Sequence, residues 1–124
     1  MLFRSPVISM LEIKLFNRKN LFTGILITGH ADFCEPGYDI VCAGVSTLSM
    51  SLVNFLNTTL EISIDDLNYF SIENEESSVF SINVENPEIY NSNEFQIGFK
   101  FFDIGIKSLL QDYSDYIKLI YQEV

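Results

Sequence analysis

His30 and Cys42 are the residues of this sequence whose side chains could together carry out nucleophilic chemistry. His30 is the only histidine among 124 residues, and Cys42 is one of two cysteines. An imidazole can accept the proton of a thiol and return it to a leaving group, so a histidine and a cysteine in contact suffice for acyl transfer. His30 and Cys42 are therefore the candidate catalytic pair.

The surrounding sequence predicts the elements that position this pair. Leu21–Gly29 is rich in β-branched residues and ends just before His30, which places the histidine at the end of a strand. Apolar residues recur at helical spacing after Asp39, so we expect a helix with Asp39 as its N-cap and Cys42 as its third residue. In a first turn, the helix dipole favours the reactive thiolate form of a cysteine.

The run that contains these residues resembles the signature of a known family. It reads Gly29-His30-Ala31, then a loop, then Asp39-Ile40-Val41-Cys42-Ala43-Gly44-Val45-Ser46. This pattern is similar to that of the bacterial ribosomal-processing cysteine proteases, called Prp, and the similarity extends from about Met10 to the C-terminus. It implies a cysteine protease that removes a short N-terminal extension from ribosomal large-subunit protein number twenty-seven. It also implies that His30 and Cys42 are catalytic. Cys34 and residues 1–9 depart from the family pattern.

Four neighbouring residues are candidates for a supporting role. Gly29 and Gly37 flank the loop between the catalytic residues, where either could adopt a positive φ or let the substrate backbone approach closely. Asp39 caps the helix or orients His30. Ser46 lies one turn after Cys42, and its hydroxyl either faces the site or bonds back to its own helix. Glu73, Glu75 and Glu76 fit a solvated turn.

Other interpretations of the pair remain open at this stage. Cys42 could be a small core residue, which would make the protein a noncatalytic module that binds ribosomes or other proteins. Zinc bound by His30, Cys34 and Cys42 would lack a fourth ligand and has unusual spacing, and a redox pair of Cys34 with Cys42 lacks thioredoxin-like spacing. We favour the protease, with no metal and no cofactor.

Composition limits the partners and the location of the protein. The formal net charge is −10, with 7 Lys and Arg against 17 Asp and Glu, which disfavours direct binding to nucleic acid and is compatible with a basic ribosomal protein precursor as substrate. No uninterrupted apolar run is long enough to predict a membrane span, and no secretory signal is recognisable. We expect a cytoplasmic protein with a single domain over residues 1–124, of which residues 1–9 form an N-terminal extension.

The apolar pattern predicts an α/β fold. Two hairpins are expected, around residues 17–20 and 74–77, with the first helix between them. A second helix begins at Asn93 and is interrupted at Ser114, and a final strand follows, with a frayed helix as the alternative. The order ββαββα(β) predicts a small two-layer sandwich, with two helices on one face of a mainly antiparallel or mixed sheet. The open face of that sheet is where we expect a homodimer to form.

Overall fold

The computed structural model describes residues 10–29, 36–73 and 78–124, with the backbone alone for residues 36–38. Along the chain, the elements are β1 Leu11–Arg18, β2 Leu21–Gly29, α1 Pro36–Asn54, α2 Ile64–Leu67, β3 Phe70–Glu73, β4 Ser78–Asn83, α3 Pro87–Tyr90, α4 Asn93–Tyr113 and β5 Ile117–Glu123. A π-helical turn, Phe55–Thr59, follows α1 directly. The predicted order is confirmed, including the final strand. The single-turn helices α2 and α3 were not predicted.

The five strands form one mixed sheet in the order β3, β4, β2, β1, β5. All neighbours are antiparallel except β5, which runs parallel to β1. Lys19 and Asn20 connect β1 to β2 with φ values of 52° and 68°, as a two-residue type I′ hairpin turn requires. This arrangement places β3 and β5 at the two open edges of the sheet.

Both long helices cover the same face of the sheet. Alternating strand residues such as Ile13, Leu15 and Ile25 point to that face and are fully buried. Val41 and Leu56 contribute to the same core from α1 and the π-helical turn, while α4 contributes a buried stripe, Phe95, Phe99, Phe102 and Ile106. The predicted two-layer sandwich is confirmed.

Glycines allow α1 and α4 to approach each other closely. A Cβ atom on Gly105 of α4 would lie 2.6 Å from Leu48 Cδ2, and one on Gly98 would lie 2.8 Å from the ring of Phe55. Because Leu48 belongs to α1 and Phe55 to the turn that follows it, this packing fixes the position of α1 over the sheet.

The start of α1 differs from the prediction. The helix begins at Pro36, three residues before Asp39, so the expectation that Asp39 is the N-cap is wrong. Proline has a fixed φ suited to the first helical position, and its missing N–H is not needed there. The segment around Pro36 and Gly37 was interpreted as a turn because these residue types also favour turns.

One helical stretch of the described chain, Asp39–Thr59, is long and apolar enough to cross a membrane, with a mean hydropathy of 1.5 over its most apolar window. The core helix of a globular domain passes the same test. Val41, Val45, Leu52, Val53 and Leu56 of this stretch are buried in the core. That packing is in keeping with a core helix, and the absence of a membrane partner stays a prediction.

Candidate active site

A cavity of about 390 Å³ lies between α1 and the β3–β4 hairpin. Its helical wall includes Asp39, Cys42 and Ser46, and its opposite wall includes Ile72 of β3 and Phe80 of β4. Cys42 is half-buried and packs against the edge of the core. The thiol-bearing residue therefore lines a cavity large enough for part of a peptide chain.

One face of α1 forms the helical wall of this cavity. Asp39, Cys42, Ser46 and Ser49 are separated by three or four positions, so they lie on the same side of a helix. The hydroxyl of buried Ser49 donates a hydrogen bond of 2.7 Å to the carbonyl oxygen of Val45, so the proton of this hydroxyl already has an acceptor. Cys42 is thus the strongest candidate nucleophile on this face.

Cys42 is the seventh residue of α1, not the third as predicted, because the helix begins at Pro36. At 3.6 residues per turn, the seventh residue closes the second turn. The influence of the helix dipole falls off within the first turn, where the unsatisfied N–H groups also lie. The predicted stabilisation of a thiolate by the helix start is therefore much reduced at Cys42.

The four supporting candidates occupy different places. Asp39 and Ser46 are exposed and line the cavity. Asp39 lies at the end of the first helical turn. Gly37 is in that same turn, and Gly29 is the last residue of β2. None of the glycines in the described part of the chain has a positive φ, which leaves close approach of the substrate backbone as the role predicted for Gly29 and Gly37.

His30 and Cys34 lie outside the described residues, so the contact between His30 and Cys42 stays a prediction. The structure does describe Gly29, which precedes His30 in the sequence and pairs with Ser78 of β4. Ser78 itself lines the cavity that contains Cys42. The strand that leads to His30 therefore ends beside this cavity.

The charged residues that line the cavity are both acidic. Asp39 stands on the helical wall and Glu73, the last residue of β3, stands on the opposite wall. None of the lining residues in the described chain is a lysine or an arginine. The cavity is therefore suited to a peptide that has a positively charged side chain.

The wall formed by β3 and β4 was not predicted from the sequence. Glu73 was assigned to a solvated turn, but it ends a strand and lines the cavity, while Glu75 and Glu76 lie outside the described residues. The hairpin itself was predicted from alternating apolar residues. What the sequence did not indicate is that β3 is the last of the described strands at this edge of the sheet and shares a cavity with α1.

Two further cavities have different linings. One, of about 340 Å³, lies between α1 and α4 and is almost entirely apolar, with Leu48, Phe55 and Phe101 among its lining residues. The other, of about 440 Å³, lies at the far end of β2 beside Arg18 and Thr23. Neither contains a cysteine among the residues described. In the described ranges, no group of three His, Cys, Asp or Glu residues is placed to hold a metal ion.

The fold and the site define a small α/β protein with a cysteine in a cleft between a helix and a mixed sheet. A family model described as "Cysteine protease Prp" matches residues 10–118. The chain is also 28% identical over 106 residues to the ribosomal processing cysteine protease Prp of Staphylococcus aureus, covering 86% of this chain and 92% of that protein.

Solved structures agree with this match. The crystal structure of SMU.848 from Streptococcus mutans aligns with a TM-score of 0.79 at 28% identity, covering 94% of this chain and all of that one. The S. aureus protease Prp in complex with a substrate peptide aligns with a TM-score of 0.74 at 23% identity, covering 91% of this chain and all of that one.

The chain belongs to the Prp family of ribosomal processing cysteine proteases. It is therefore an enzyme that hydrolyses peptide bonds through a cysteine, which decides against the noncatalytic module considered from the sequence. The recognition of the family and the predicted class of enzyme are both confirmed.

Proposed function

We propose that this protein removes a short N-terminal extension from protein number twenty-seven of the bacterial large ribosomal subunit, with Cys42 as nucleophile and His30 as general base. The observation that carries the proposal is the position of Cys42 in a cavity beside the end of β2. His30 directly follows Gly29, the last residue of this strand, and consecutive Cα atoms of a chain are about 3.8 Å apart.

The proposed reaction has two steps. The thiol of Cys42 gives its proton to His30 and attacks the scissile carbonyl carbon, and His30 then gives that proton to the departing amine. A thioester remains between Cys42 and the extension. Water, deprotonated by His30, attacks the thioester, which releases the extension as a carboxylic acid and returns the proton to the thiol.

The attack of Cys42 places negative charge on the oxygen of the scissile carbonyl. Hydrogen-bond donors are needed to stabilise this oxyanion. Only the first turn of a helix has N–H groups without an intrahelical partner, and Pro36 lacks an N–H. The candidates on α1 are therefore the backbone N–H groups of residues 37 and 38, in the turn that precedes Cys42. Asp39 and Ser46 are proposed to support the site from the same helix face.

The extended ribosomal protein provides the direct test. We expect the purified protein to shorten it at one peptide bond, as measured by intact mass, and we expect Cys42→Ala and His30→Ala to abolish this cleavage while circular dichroism stays unchanged. Cys34→Ala is the matched control, since it also removes a thiol, and it should keep its activity. Full activity in Cys42→Ala or His30→Ala would refute the assignment of the pair.

We further propose that the enzyme acts in the cytoplasm as a homodimer joined through the outer face of the sheet. That face carries apolar residues away from the helices, among them Leu26 and Phe70, and Phe70 is 47% exposed. Light scattering should give a mass near twice 14.2 kDa. Leu26→Glu should give a monomer, whereas a wild-type monomer at micromolar concentration would contradict the dimer.

A further inference from the structure

The cavity that contains Cys42 is bordered by an open edge of the sheet. β3 is the outermost strand, and all four of its residues are exposed. Ser71, Ile72 and Glu73 of this strand line the cavity. An edge strand directs alternate N–H and C=O groups away from its neighbour, so the outer edge of β3, which no other described strand pairs, borders the cavity with such groups.

The floor and the rim of the cavity differ in polarity. Ile27, Val45 and Phe80 provide buried apolar surface at the floor. At the rim, exposed Asp39 on α1 and exposed Glu73 on β3 provide the charges, and both are negative. A ligand complementary to these surfaces has an apolar side chain directed inward and a cation near the rim.

We propose that the substrate binds as an extended segment added to the free edge of β3, with a lysine or arginine side chain placed beside Glu73. This inference rests on the proposed function and specifies how the same site selects its substrate. Main-chain hydrogen bonds to an edge strand hold an extended peptide, and side-chain pockets then provide the specificity. Because side chains alternate along a strand, the peptide directs every second residue to the side of the sheet that α1 covers, which is the side of the cavity.

Glu73 is the specificity-determining residue in this arrangement. It ends β3 and lines the cavity from the wall opposite Cys42. An ion pair at an exposed position is worth at most about 1 kcal/mol, so loss of the pair should weaken substrate binding about fivefold. The strand pairing supplies the remainder of the affinity.

The probe for both parts of the proposal is a fluorescein-labelled peptide that spans the extension and the first residues of the mature ribosomal protein. Its dissociation constant is measured by anisotropy on Cys42→Ala, which binds without cleaving. A series of peptides, each with one backbone amide N-methylated, tests the strand pairing. We expect weakened binding at every second position, since only alternate amides of the peptide face β3.

Charge exchange tests the role of Glu73. With Glu73→Lys, introduced alongside Cys42→Ala, the peptide that contains the cation should bind up to about 25-fold more weakly, because attraction is replaced by repulsion of similar size. Replacing that cation in the peptide with glutamate should restore binding to Glu73→Lys. Glu85→Lys is the matched control, since Glu85 is also exposed but lies beyond the opposite end of β4.

The outcomes separate this inference from the proposed function. N-methylation effects without a two-residue period would overturn the strand pairing. Equal effects of Glu73→Lys and Glu85→Lys, or no recovery with the glutamate peptide, would overturn the role of Glu73. Failure of the wild-type protein to cleave the extended ribosomal protein would refute the proposed function instead, and peptide binding to Cys42→Ala can be measured whatever that result is.

Discussion

Gln96 on α4 is hydrogen-bonded to the backbone of Phe22 on β2 in both directions. Its Oε1 atom accepts from Phe22 N at 2.9 Å, and its Nε2 atom donates to Phe22 O at 2.8 Å. The same amide nitrogen donates to the carbonyl oxygen of Tyr90 at 2.7 Å. A single buried amide thus joins α4 to the strand that leads to His30.

Replacing Gln96 with leucine should destabilise the fold without changing the residues that line the Cys42 cavity. The change leaves the N–H and C=O groups of Phe22 without these partners in a buried region, and we expect a loss of about 3 kcal/mol in the free energy of unfolding. Urea denaturation measures this loss. Gln122→Leu, at an exposed position of β5, is the control and should change stability by less than about 0.5 kcal/mol. Similar losses in both variants would contradict the role assigned to Gln96.

Gly24 and Gly44 should respond oppositely to alanine. A Cβ atom on Gly24 would overlap the backbone carbonyl oxygen of Ile82, which cannot move without breaking the pairing of β2 with β4. We expect Gly24→Ala to cost about 2 kcal/mol, as overpacking typically does. On Gly44, in the middle of α1, a Cβ would lie 3.2 Å from the terminal atoms of the Leu109 side chain, which can rotate.

The gain in helix propensity at Gly44 is about 1 kcal/mol, so Gly44→Ala should be neutral or slightly stabilising. Thermal unfolding of the two variants beside the wild-type protein provides the measurement. If Gly24→Ala is as stable as Gly44→Ala, the close contact of β2 with β4 at Gly24 is not as the structure describes it.

Tyr121 connects β5 to α4 through a hydrogen bond of 2.5 Å from its hydroxyl to Asp103 Oδ1. Lys107 completes the cluster, with its Nζ atom 3.0 Å from Asp103 Oδ2. Burial, followed by the hydrogen bond to Asp103, raises the pKa of Tyr121 above its ordinary value of 10.0. The hydrogen bond to Asp103 is also the largest cause of a raised pKa at Lys107.

This cluster predicts a loss of stability at alkaline pH. A raised pKa means that the folded protein holds the protons of Tyr121 and Lys107 more tightly than the unfolded chain does. Their contribution is complete below pH of about 10 and is lost as the pH rises through the folded-state pKa values. Tyr121→Phe should be less stable than wild type at pH 8, because it lacks the hydrogen bond, and should lose less stability between pH 9 and 11. The measurement is the urea concentration at the unfolding midpoint of each protein across this pH range. If the two midpoints change in parallel with pH, the prediction is contradicted.

The sequence predicted the elements whose apolar pattern is continuous. β2 and α4 have the predicted bounds because Leu21–Gly29 contains no exposed residue and the stripe of Phe95, Phe99, Phe102 and Ile106 is buried. The start of α1 was missed because the apolar residues at helical spacing begin only at Val41, five positions after the helix does. Helices α2 and α3 are too short to show a period.

The site was predictable only in part, for a related reason. Cys42 and its neighbours on α1 follow from helical spacing, but the wall opposite them depends on which strand lies at the edge of the sheet. Gln96 shows the same limit, since it contacts Phe22 from 74 positions away and a polar residue in the first turn of a helix is ordinarily exposed. Contacts between distant segments determine both features, and local sequence patterns do not record such contacts.

The position of Cys42 in the second turn of α1 leads to the last prediction, which concerns the reactivity of its thiol. Because the helix dipole stabilises a thiolate only weakly at this position, formation of the thiolate in the proposed pair depends on His30. Cys42 should react with iodoacetamide at pH 7 faster than an ordinary thiol with a pKa of about 8.5, and His30→Ala should return its rate to that of such a thiol. Peptide mapping measures the rates of Cys42 and Cys34 in the same sample, with Cys34 as the internal control. A fast Cys42 that is unaffected by His30→Ala would show that the activating group is elsewhere, with Ser46 and the first-turn N–H groups as the next candidates to examine.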